Sequence, residues 1–255
     1  MEKITSLNNN RITMYSKLNQ KKYRDEYGLF LLENYKLIRE AIERHEKIEC
    51  IIVEESKFSK YSNILETIQN DVLIVPENVF SKVCDTVTSQ GIIAVIHKND
   101  NISVQSVNGR VLVLDRIQDA GNVGTLMRSS LGFGFDHVVL IDSADPYSPK
   151  VIRSCGGSVF KLKIAECSEK ELINAIRKNN HTVFTADMNG TNMYDMKSFP
   201  NSMMLIIGNE GQGVSGALEE ASTNNIMIPM KNDLESLNAG VSGSIIMSYI
   251  HSKNC

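Results

Sequence analysis

The sequence predicts an α/β protein in two parts, and three observations support that fold class. Strand-like and helix-like segments alternate along nearly the whole chain, as in YGLFLLE followed by NYKLIREAIERHE at residues 27–46. The run VLVLDR at 111–116 is almost continuously apolar, as expected of a parallel strand buried on both faces. The segment NDNISVQSVNG at 99–109 is polar and without periodicity, which favours a linker. We therefore expect domains at residues 1–103 and 108–255.

The first part contains strands and helices in strict alternation, beginning and ending with a strand. In chain order they are YGLFLLE, NYKLIREAIERHE, CIIVEES, KYSNILETIQN, DVLIVP, ENVFSKVCDTV and GIIAVIHK. The strand-like runs are rich in β-branched residues, and the longer runs are amphipathic at helical spacing.

The second part repeats the alternation and then adds three strands before a last helix. In chain order these segments are VLVLDR, GTLMRSSLGF, HVVLID, EKELINAIRKNN, HTVFTAD, MMLIIGNE, NIMIPM and a final helix from about Leu237 to Ser252. Such alternation indicates a parallel sheet with helices on its faces.

Composition narrows the class of protein. At 42% hydrophobic and 22% charged residues, with a net charge of -3, the chain is typical of globular proteins. It has no apolar run of about 18 residues and no signal-peptide core at its N-terminus, so a cytoplasmic protein is expected. Five cysteines without a C-x-x-C pair, and histidines without an H-E-x-x-H pattern, predict reduced thiols and no metal site.

Three loops follow strand-like runs and lead into helix starts. They are RIQDAGNVGTLMRSS (116–130), NEGQGVSG (209–216) and KNDLESLNAGVSG (231–243). Each is rich in Gly, Asn and charged residues. Functional groups of open α/β sheets gather at the carboxyl ends of strands, so these loops are the candidate site.

In the first loop, Asn122, Thr125 and Arg128 are spaced i, i+3, i+6 and would share one helix face. A guanidinium there suits a phosphate group, because it can donate two parallel hydrogen bonds. A surface arginine in an ordinary strand–helix loop would show the same spacing.

In the second loop, Gly208, Gly211 and Gly213 allow the backbone to approach another group closely, with Glu210 between them. A plain tight turn with a solvated glutamate is the alternative.

In the third loop, Ser236 and Asn238 suit a helix start, where side-chain oxygens cap free N–H groups. Capping does not explain Gly240, Gly243 and Ser244, which recur at i, i+3, i+4 and permit a close approach to the helix backbone. Capping combined with helix packing is the competing explanation.

The N-terminal segment is basic. Residues 1–24 contain six basic side chains against Glu2 alone, namely Lys3, Arg11, Lys17, Lys21, Lys22 and Arg24. Tyr15 and Tyr23 are interleaved with them, and such a mixture suits a nucleic-acid backbone and unstacked bases. A solvated charged surface would have the same composition.

The three loops lie in motifs that together resemble the SpoU/TrmH group of the SPOUT RNA methyltransferases. The motifs are DAGNVGTLMRSS (119–130), LIIGNEGQGVS (205–215) and IPMKNDLESLNAGVSGSI (228–245), in the order of that family. The first part, through YGLFLLENYKLIREAI and QGIIAVI, resembles the small ribosomal-protein-like α/β domain that is often fused to it and binds the substrate. The resemblance covers nearly the whole chain.

The resemblance implies a C-terminal α/β domain with a deep trefoil knot, S-adenosylmethionine as cofactor, and a homodimer. The implied reaction is methyl transfer to a ribose 2′-hydroxyl in RNA. By match of motif, the catalytic positions are Arg128, Asn122, Glu210, Ser236 and Asn238. The cofactor contacts are Gly208, Ile228, Leu237, Met230 and Ala186. Two positions depart from the family pattern: Ala120 replaces a proline, and Gly240 replaces a serine.

Rival functions stay open on the sequence. The separate N-terminal domain favours ribosomal RNA over transfer RNA as the substrate. A non-catalytic RNA-binding or ribosome-assembly protein could use the same scaffold, although Asn122, Arg128, Glu210 and Asn238 are all present. A small-molecule enzyme that binds phosphate would leave the basic N-terminal segment unexplained.

Overall fold

The computed structural model describes residues 1–68, 70–86, 88–231 and 236–253. Residues 232–235 of the third motif, Gln69 and Val87 in two predicted helices, and Cys255 lie outside the described residues. The chain divides into two compact units. Unit 1 comprises Met1–Asn99 and Tyr147–Arg153, and unit 2 comprises Asp100–Pro146 and Ser154–Cys255.

Unit 1 contains, within its described residues, a mixed five-stranded sheet. Its strands are β1 (Glu2–Lys3), β2 (Leu29–Leu32), β3 (Ile48–Glu54), β4 (Asp71–Val75) and β5 (Ile92–His97). Their order is β1-β4-β3-β5-β2, in which β5 runs antiparallel to both of its neighbours and the other pairs are parallel. The helices are α1 (Asn10–Lys17), α2 (Lys21–Tyr27), α3 (Tyr35–Glu43), α4 (Phe58–Leu65) and α5 (Glu77–Val83).

Local chemistry explains where α3 forms. The Asn34 side chain accepts hydrogen bonds from the backbone N–H groups of Lys36 and Leu37, which caps the helix start. Leu37, Ile38 and Ala41 recur at helical spacing and are buried. The amphipathic pattern found in the sequence therefore corresponds to the buried face of this helix.

Helices α1 and α2 were not predicted, although this basic segment contains a buried apolar stripe. Ile12, Tyr15 and Leu18 repeat every third residue and lie in the unit 1 core, each at most 1% exposed. The expectation that Tyr15 is available to RNA bases is therefore wrong, since its ring is packed inside the protein.

Unit 2 is built, in the part that the structure describes, on a six-stranded sheet in which every pair is parallel. Its strands are β6 (Arg110–Asp115), β7 (His137–Ile141), β8 (Lys163–Glu166), β9 (Val183–Asn192), β10 (Met203–Ile207) and β11 (Asn224–Met227). The helices are α6 (Ala120–Gly132), α7 (Pro149–Cys155), α8 (Glu169–Asn179), α9 (Gly216–Glu220) and α10 (Ala239–Ser252). Because α7 includes residues 149–153, it extends from unit 1 into unit 2.

The strand order of unit 2 is β11-β9-β10-β6-β7-β8. The chain first builds outward from β6 through β7 to β8, then crosses to the other side of β6. Strand β10 lies between β6 and β9 and pairs with both. In open parallel sheets, such a change of direction leaves a crevice at the carboxyl ends of the strands, where ligands bind.

The small residues of the last helix are explained by its packing against α6. A Cβ atom on Gly243 would lie 2.3 Å from Leu126 Cδ2, so glycine lets the two helices pack this closely without displacing the Leu126 side chain. The hydroxyls of Ser129 and Ser244 are hydrogen-bonded across the same contact at 2.7 Å.

Part of the predicted linker belongs to the folded body of unit 2. Val104 and Val107 are buried in its core, and the N–H of Ile102 donates to the carbonyl of Ile164. Val104 and Val107 therefore anchor the otherwise largely exposed segment 100–107 to unit 2. None of the helices in the described residues is both long enough and apolar enough to cross a membrane.

Candidate active site

A cavity of about 550 Å³ lies at the carboxyl ends of β10 and β11, beside residues 186–188 of β9 and the start of α10. Its apolar wall includes Ile207, Ile226 and Ile246. Residues 208–214, which follow β10, also line it and include three glycines and three polar side chains. The cavity thus combines an apolar surface with a polar loop.

All five residues predicted to contact the cofactor line this cavity: Ala186, Gly208, Ile228, Met230 and Leu237. They come from three segments that are distant in the sequence. Of the residues predicted to be catalytic, Glu210 and Ser236 also line it.

The loop that carries Glu210 is closed on itself. The backbone groups of Asn209 and Gly213 exchange hydrogen bonds of 3.0 and 2.9 Å. The Asn209 side chain accepts from the N–H groups of Gly211 and Gln212. A Cβ atom on Gly208 would lie 2.3 Å from both Gly213 C and Val214 N, so glycine is required where the loop folds back.

Arg116, which the sequence analysis did not single out, anchors this loop. Its guanidinium donates to both carboxylate oxygens of the buried Asp115, at 3.0 and 2.9 Å. It also donates to Gln212 Oε1 at 3.0 Å and to the carbonyl of Gly213 at 3.2 Å. The hydrogen bonds that it donates to the Asp115 carboxylate raise the pKa of Arg116, so the guanidinium is firmly charged.

The backbone of Arg116 takes part in the same anchor. Its carbonyl accepts a 2.9 Å hydrogen bond from Asn209 Nδ2, and Asp115 Oδ2 accepts from the N–H of Ser215. Arg116 has a φ of +58°, a left-handed conformation that is costly for a residue with a side chain. Strained backbone of this kind persists where surrounding contacts impose it and clusters at functional sites.

A second group of residues, here called the polar cluster, comprises Asn122, Glu210 and Asn238 around Gly240. Asn122 Nδ2 donates to Glu210 Oε1 at 2.8 Å, and Asn122 is only 8% exposed. Asn238 caps α10 by accepting from the N–H of Val241. A Cβ atom on Gly240 would lie 3.1 Å from both Asn122 Oδ1 and Asn238 Oδ1, so the structure brings these amides together.

Arg128 is not brought to the cavity within this chain. It is exposed on α6, about 9 Å along the helix axis from Asn122. Its positive charge acts on Cys155, but burial outweighs that charge and raises the pKa of the Cys155 thiol to about 11. Among the predicted catalytic residues, Asn122, Asn238 and Arg128 do not line the cavity.

The sequence analysis also missed Asp187, which lines the cavity next to Ala186. Asn225 Nδ2 donates to Asp187 Oδ2 at 3.1 Å, and Thr185 Oγ1 in turn donates to Asn225 Oδ1 at 2.6 Å. The available signal was the polar end of the strand-like run HTVFTAD. Within the described residues, no group of three or more His, Cys, Asp or Glu side chains is placed to hold a metal ion.

Comparison with known proteins gives consistent results for both parts of the chain. The model of the SpoU rRNA Methylase family matches residues 109–248, and the model of the MRM3-like substrate binding domain matches residues 9–94. The chain is 32% identical over 253 residues to the 23S rRNA (guanosine(2553)-2′-O)-methyltransferase RlmP of Bacillus subtilis. That alignment covers 98% of this chain and 99% of the relative.

Solved structures show the same fold along the whole chain. The AdoMet-bound rRNA methyltransferase from Sinorhizobium meliloti superposes with a TM-score of 0.86 at 24% identity, covering 98% of this chain and 97% of the other. A structure described as an RNA 2′-O ribose methyltransferase superposes with a TM-score of 0.79 at 26% identity, covering 99% of each chain.

Proposed function

The chain belongs to the SpoU rRNA methylase family, and from that membership we propose that it methylates a ribose 2′-hydroxyl of ribosomal RNA with S-adenosylmethionine. The observation that carries the proposal is the placement of the Asn122–Glu210 hydrogen bond at the rim of a cavity lined by all five expected cofactor contacts. A methyl donor in the cavity would then lie beside groups able to hold an acceptor hydroxyl.

The cavity suits S-adenosylmethionine in size and chemistry. Its volume lies within the usual range for small-molecule sites, about 300–1,000 Å³. The apolar side chains of Ile226, Ile228 and Leu237 offer a surface for an adenine ring. The backbone of 208–214 and the Asp187 carboxylate offer partners for the ribose and the amino-acid part.

The proposed catalysis relies on positioning. When bound, S-adenosylmethionine supplies an electrophilic methyl group on its sulfonium. Holding two reactants in line can contribute about 7–11 kcal/mol to lowering the barrier. In this scheme Asn122 and Glu210 orient each other, while Ser236 and Asn238 orient the acceptor ribose.

We assign Arg128 to the RNA phosphate and to the negative charge that develops on the acceptor oxygen. A guanidinium stays protonated in proteins, so it is a poor base and a good electrostatic partner. Its exposed position on α6 suits contact with a bound RNA, either on the same chain or on a second one.

A homodimer would complete the site if Arg128 of one subunit served the cavity of the other. This can be tested by mixing two inactive variants, Arg128→Ala and Glu210→Gln, after unfolding and refolding them together. If Arg128 acts across subunits, roughly one quarter of wild-type activity returns, because half of the molecules are mixed dimers with one intact site each. If Arg128 acts within its own subunit, no activity returns.

The finer architecture is proposed on the same grounds. We propose the deep trefoil knot of the family in residues 108–255, supported by the parallel sheet with β10 between β6 and β9. We propose that residues 1–103 form the ribosomal-protein-like domain that binds RNA, supported by the match of residues 9–94 to a substrate-binding domain.

Ribosomal RNA is preferred over transfer RNA because RlmP, named for its action on 23S rRNA, is similar to this chain over both units. We also propose a cytoplasmic location, with which a ribosomal RNA substrate is consistent. The test is to incubate the protein with labelled cofactor and separated, unmodified 23S rRNA, 16S rRNA and transfer RNA. We expect label in 23S rRNA, at a position then mapped as a 2′-O-methyl group. Label confined to transfer RNA would make transfer RNA, and not ribosomal RNA, the substrate. RNA binding without cofactor binding in calorimetry would favour a non-catalytic protein.

A further inference from the structure

A small patch on unit 1 combines two lysines with two tyrosines at the junction of α1 and α2. The Nζ atoms of Lys17 and Lys22 lie 5.2 and 5.5 Å from the centroid of the Tyr23 ring. The rings of Tyr23 and Tyr27 are stacked, with centroids 6.2 Å apart and an interplanar angle of 14°. We call these residues, Lys17, Lys22, Tyr23 and Tyr27, the tyrosine–lysine patch.

The two lysines of the patch differ from the other basic residues of the N-terminal segment, which are either paired with a carboxylate or buried. Arg11 pairs with Glu2 and Asp71, Lys3 pairs with Glu55, Lys21 pairs with Asp25, and Arg24 is buried. By contrast, neither Lys17 nor Lys22 forms an ion pair with any residue that the structure describes. The two lysines of the patch are therefore available to an external anion.

The charge around the patch favours an anionic partner. Residues 17–27 contain four basic side chains against two acidic ones, giving +2 in a chain of net charge -3. One of the two acidic residues, Asp25, is already bound by Lys21 and Lys98. A local surface of this sign attracts phosphate groups even on an acidic protein.

The patch is also held in place by buried contacts. The guanidinium of Arg24 donates to the carbonyl of Leu18 at 2.7 Å, which ties α2 to the end of α1. Asn19 Nδ2 donates to the carbonyl of Val83, and Gly28 ends α2 with a φ of +64°. A rigid platform loses less conformational entropy when a ligand binds.

We propose that the tyrosine–lysine patch is a contact site for single-stranded RNA, with a base stacked on Tyr23 and flanking phosphates bound by Lys17 and Lys22. This inference rests on the proposed function. Stacking of a base on an aromatic ring is stronger than an exposed cation–π contact, so the lysine heads can turn to phosphates while a base takes the ring face. The ring carries no sequence preference, so specificity resides elsewhere.

The test uses the full-length protein, a fluorescein-labelled oligouridylate, and fluorescence anisotropy at several salt concentrations. Each phosphate contact to a single strand contributes about 0.7 to the salt slope, so Lys17→Ala with Lys22→Ala should lower the slope by about 1.4. Tyr23→Ala should weaken binding about 5- to 100-fold, while Tyr23→Phe, which keeps the ring, should bind like the wild type.

Lys60→Ala is the matched control, because Lys60 lies 5.1 Å from the Tyr61 ring centroid but Tyr61 is only 1% exposed and offers no ring face to a base. It should leave RNA affinity unchanged. Equal affinity of Tyr23→Ala, the lysine variant and this control would overturn the proposal. Competition by polyglutamate as strong as that by RNA of equal charge would also overturn it, in favour of an acidic protein partner.

Turnover on unmodified 23S rRNA separates this inference from the proposed function. The patch variants should raise KM for RNA and leave kcat unchanged, because the patch lies outside the residues assigned to the reaction. If the wild type methylates RNA and the patch variants do so with unchanged KM, only the patch proposal fails. If the wild type transfers no methyl group but the patch variants bind RNA more weakly than the wild type, only the proposed function fails.

Discussion

The cavity and the polar cluster are neighbours that share Glu210, but they are built in different ways. The cavity takes its shape from backbone, apolar side chains and one glycine, Gly208, that leaves no room for a Cβ atom. The polar cluster depends on directed hydrogen bonds between side chains, above all the one from Asn122 to Glu210. The difference suggests that shape governs cofactor binding and hydrogen bonding governs chemistry, so the two should be separable by mutation.

The largest effect is expected for Gly208→Ala, which acts on the cavity through the loop 208–214. The new methyl group would lie 2.3 Å from the backbone of Gly213 and Val214, so the loop must move away. We expect the Kd for S-adenosylmethionine to rise at least about 100-fold, or ~2.7 kcal/mol, by calorimetry. Gly211→Ala is the control, since its Cβ would meet Asn209 Oδ1 at an ordinary 3.6 Å. Similar affinities for the two variants would contradict the account of the cavity.

The reverse pattern is expected for Asn122→Ala, which removes the hydrogen bond to Glu210 and leaves the cavity lining intact. A hydrogen bond to a charged group contributes about 1.5–3 kcal/mol, so kcat should fall about 10- to 100-fold. The Kd for the cofactor should stay within about twofold of the wild type. Thr125→Ala, exposed one turn further along α6, should change neither quantity. Weakened cofactor binding in Asn122→Ala would show that the two regions are not separable.

Arg116→Ala should affect both regions, because Arg116 holds the loop that they share. The substitution removes the guanidinium contacts to Gln212 and Gly213 and leaves the buried Asp115 carboxylate without its cation. We expect the unfolding free energy to fall by about 2–3 kcal/mol, with a loss of about tenfold in both kcat and cofactor affinity. Arg116→Lys, which keeps the charge without the planar fork, should recover part of the stability. If Arg116→Ala is destabilised to this degree but has normal kcat and normal cofactor affinity, Arg116 has a role in stability alone and none in the site.

The smallest effect is expected on the pH dependence of stability, through two histidines at the N-terminal ends of strands in the same sheet. His137 begins β7 and His181 precedes β9, and burial lowers the pKa of both, with the charge of Lys163 acting further on His137. The unfolded chain therefore binds more protons than the folded one as pH falls below about 6.5, so stability decreases there. The thermal midpoint should be lower at pH 5.5 than at pH 7.5. His137→Asn with His181→Asn should flatten this dependence, and His45→Asn, at an exposed site, should not.

The parts of the fold that the sequence predicted are those whose signal is local. Strand β6 is buried on both faces, so its apolar run is readable without knowing its neighbours. Four of the five candidate cofactor residues lie in the second and third motifs, whose resemblance to a known family identified them, and the structure places these four and Ala186 on one cavity. Their roles toward a cofactor remain a prediction.

The parts that were missed depend on contacts between distant residues or on helix rotation. The hydrogen bond of Arg116 to Gln212 joins residues 96 positions apart, and no local sequence pattern predicts such a contact. Whether Arg128 points to the cavity depends on how α6 is turned against α10, which is set by packing at Gly243. For α1, the spacing of Ile12, Tyr15 and Leu18 is a local signal of a buried stripe, but the basic residues around it have the composition of a solvated surface.

The position of β10 between β6 and β9 has a consequence for the order in which the protein can mature on the ribosome. Residues 110–192 emerge first and include both neighbours of β10, yet β9 cannot settle against β6 without closing the gap that β10 must enter. The binding site is completed only when residues up to Ile246 have been synthesised and β10 has paired with β6 and β9. A nascent chain of this protein therefore has no complete site for a nucleoside ligand until the residues up to Ile246 have been translated, so ligand binding would report that β10 has entered the sheet.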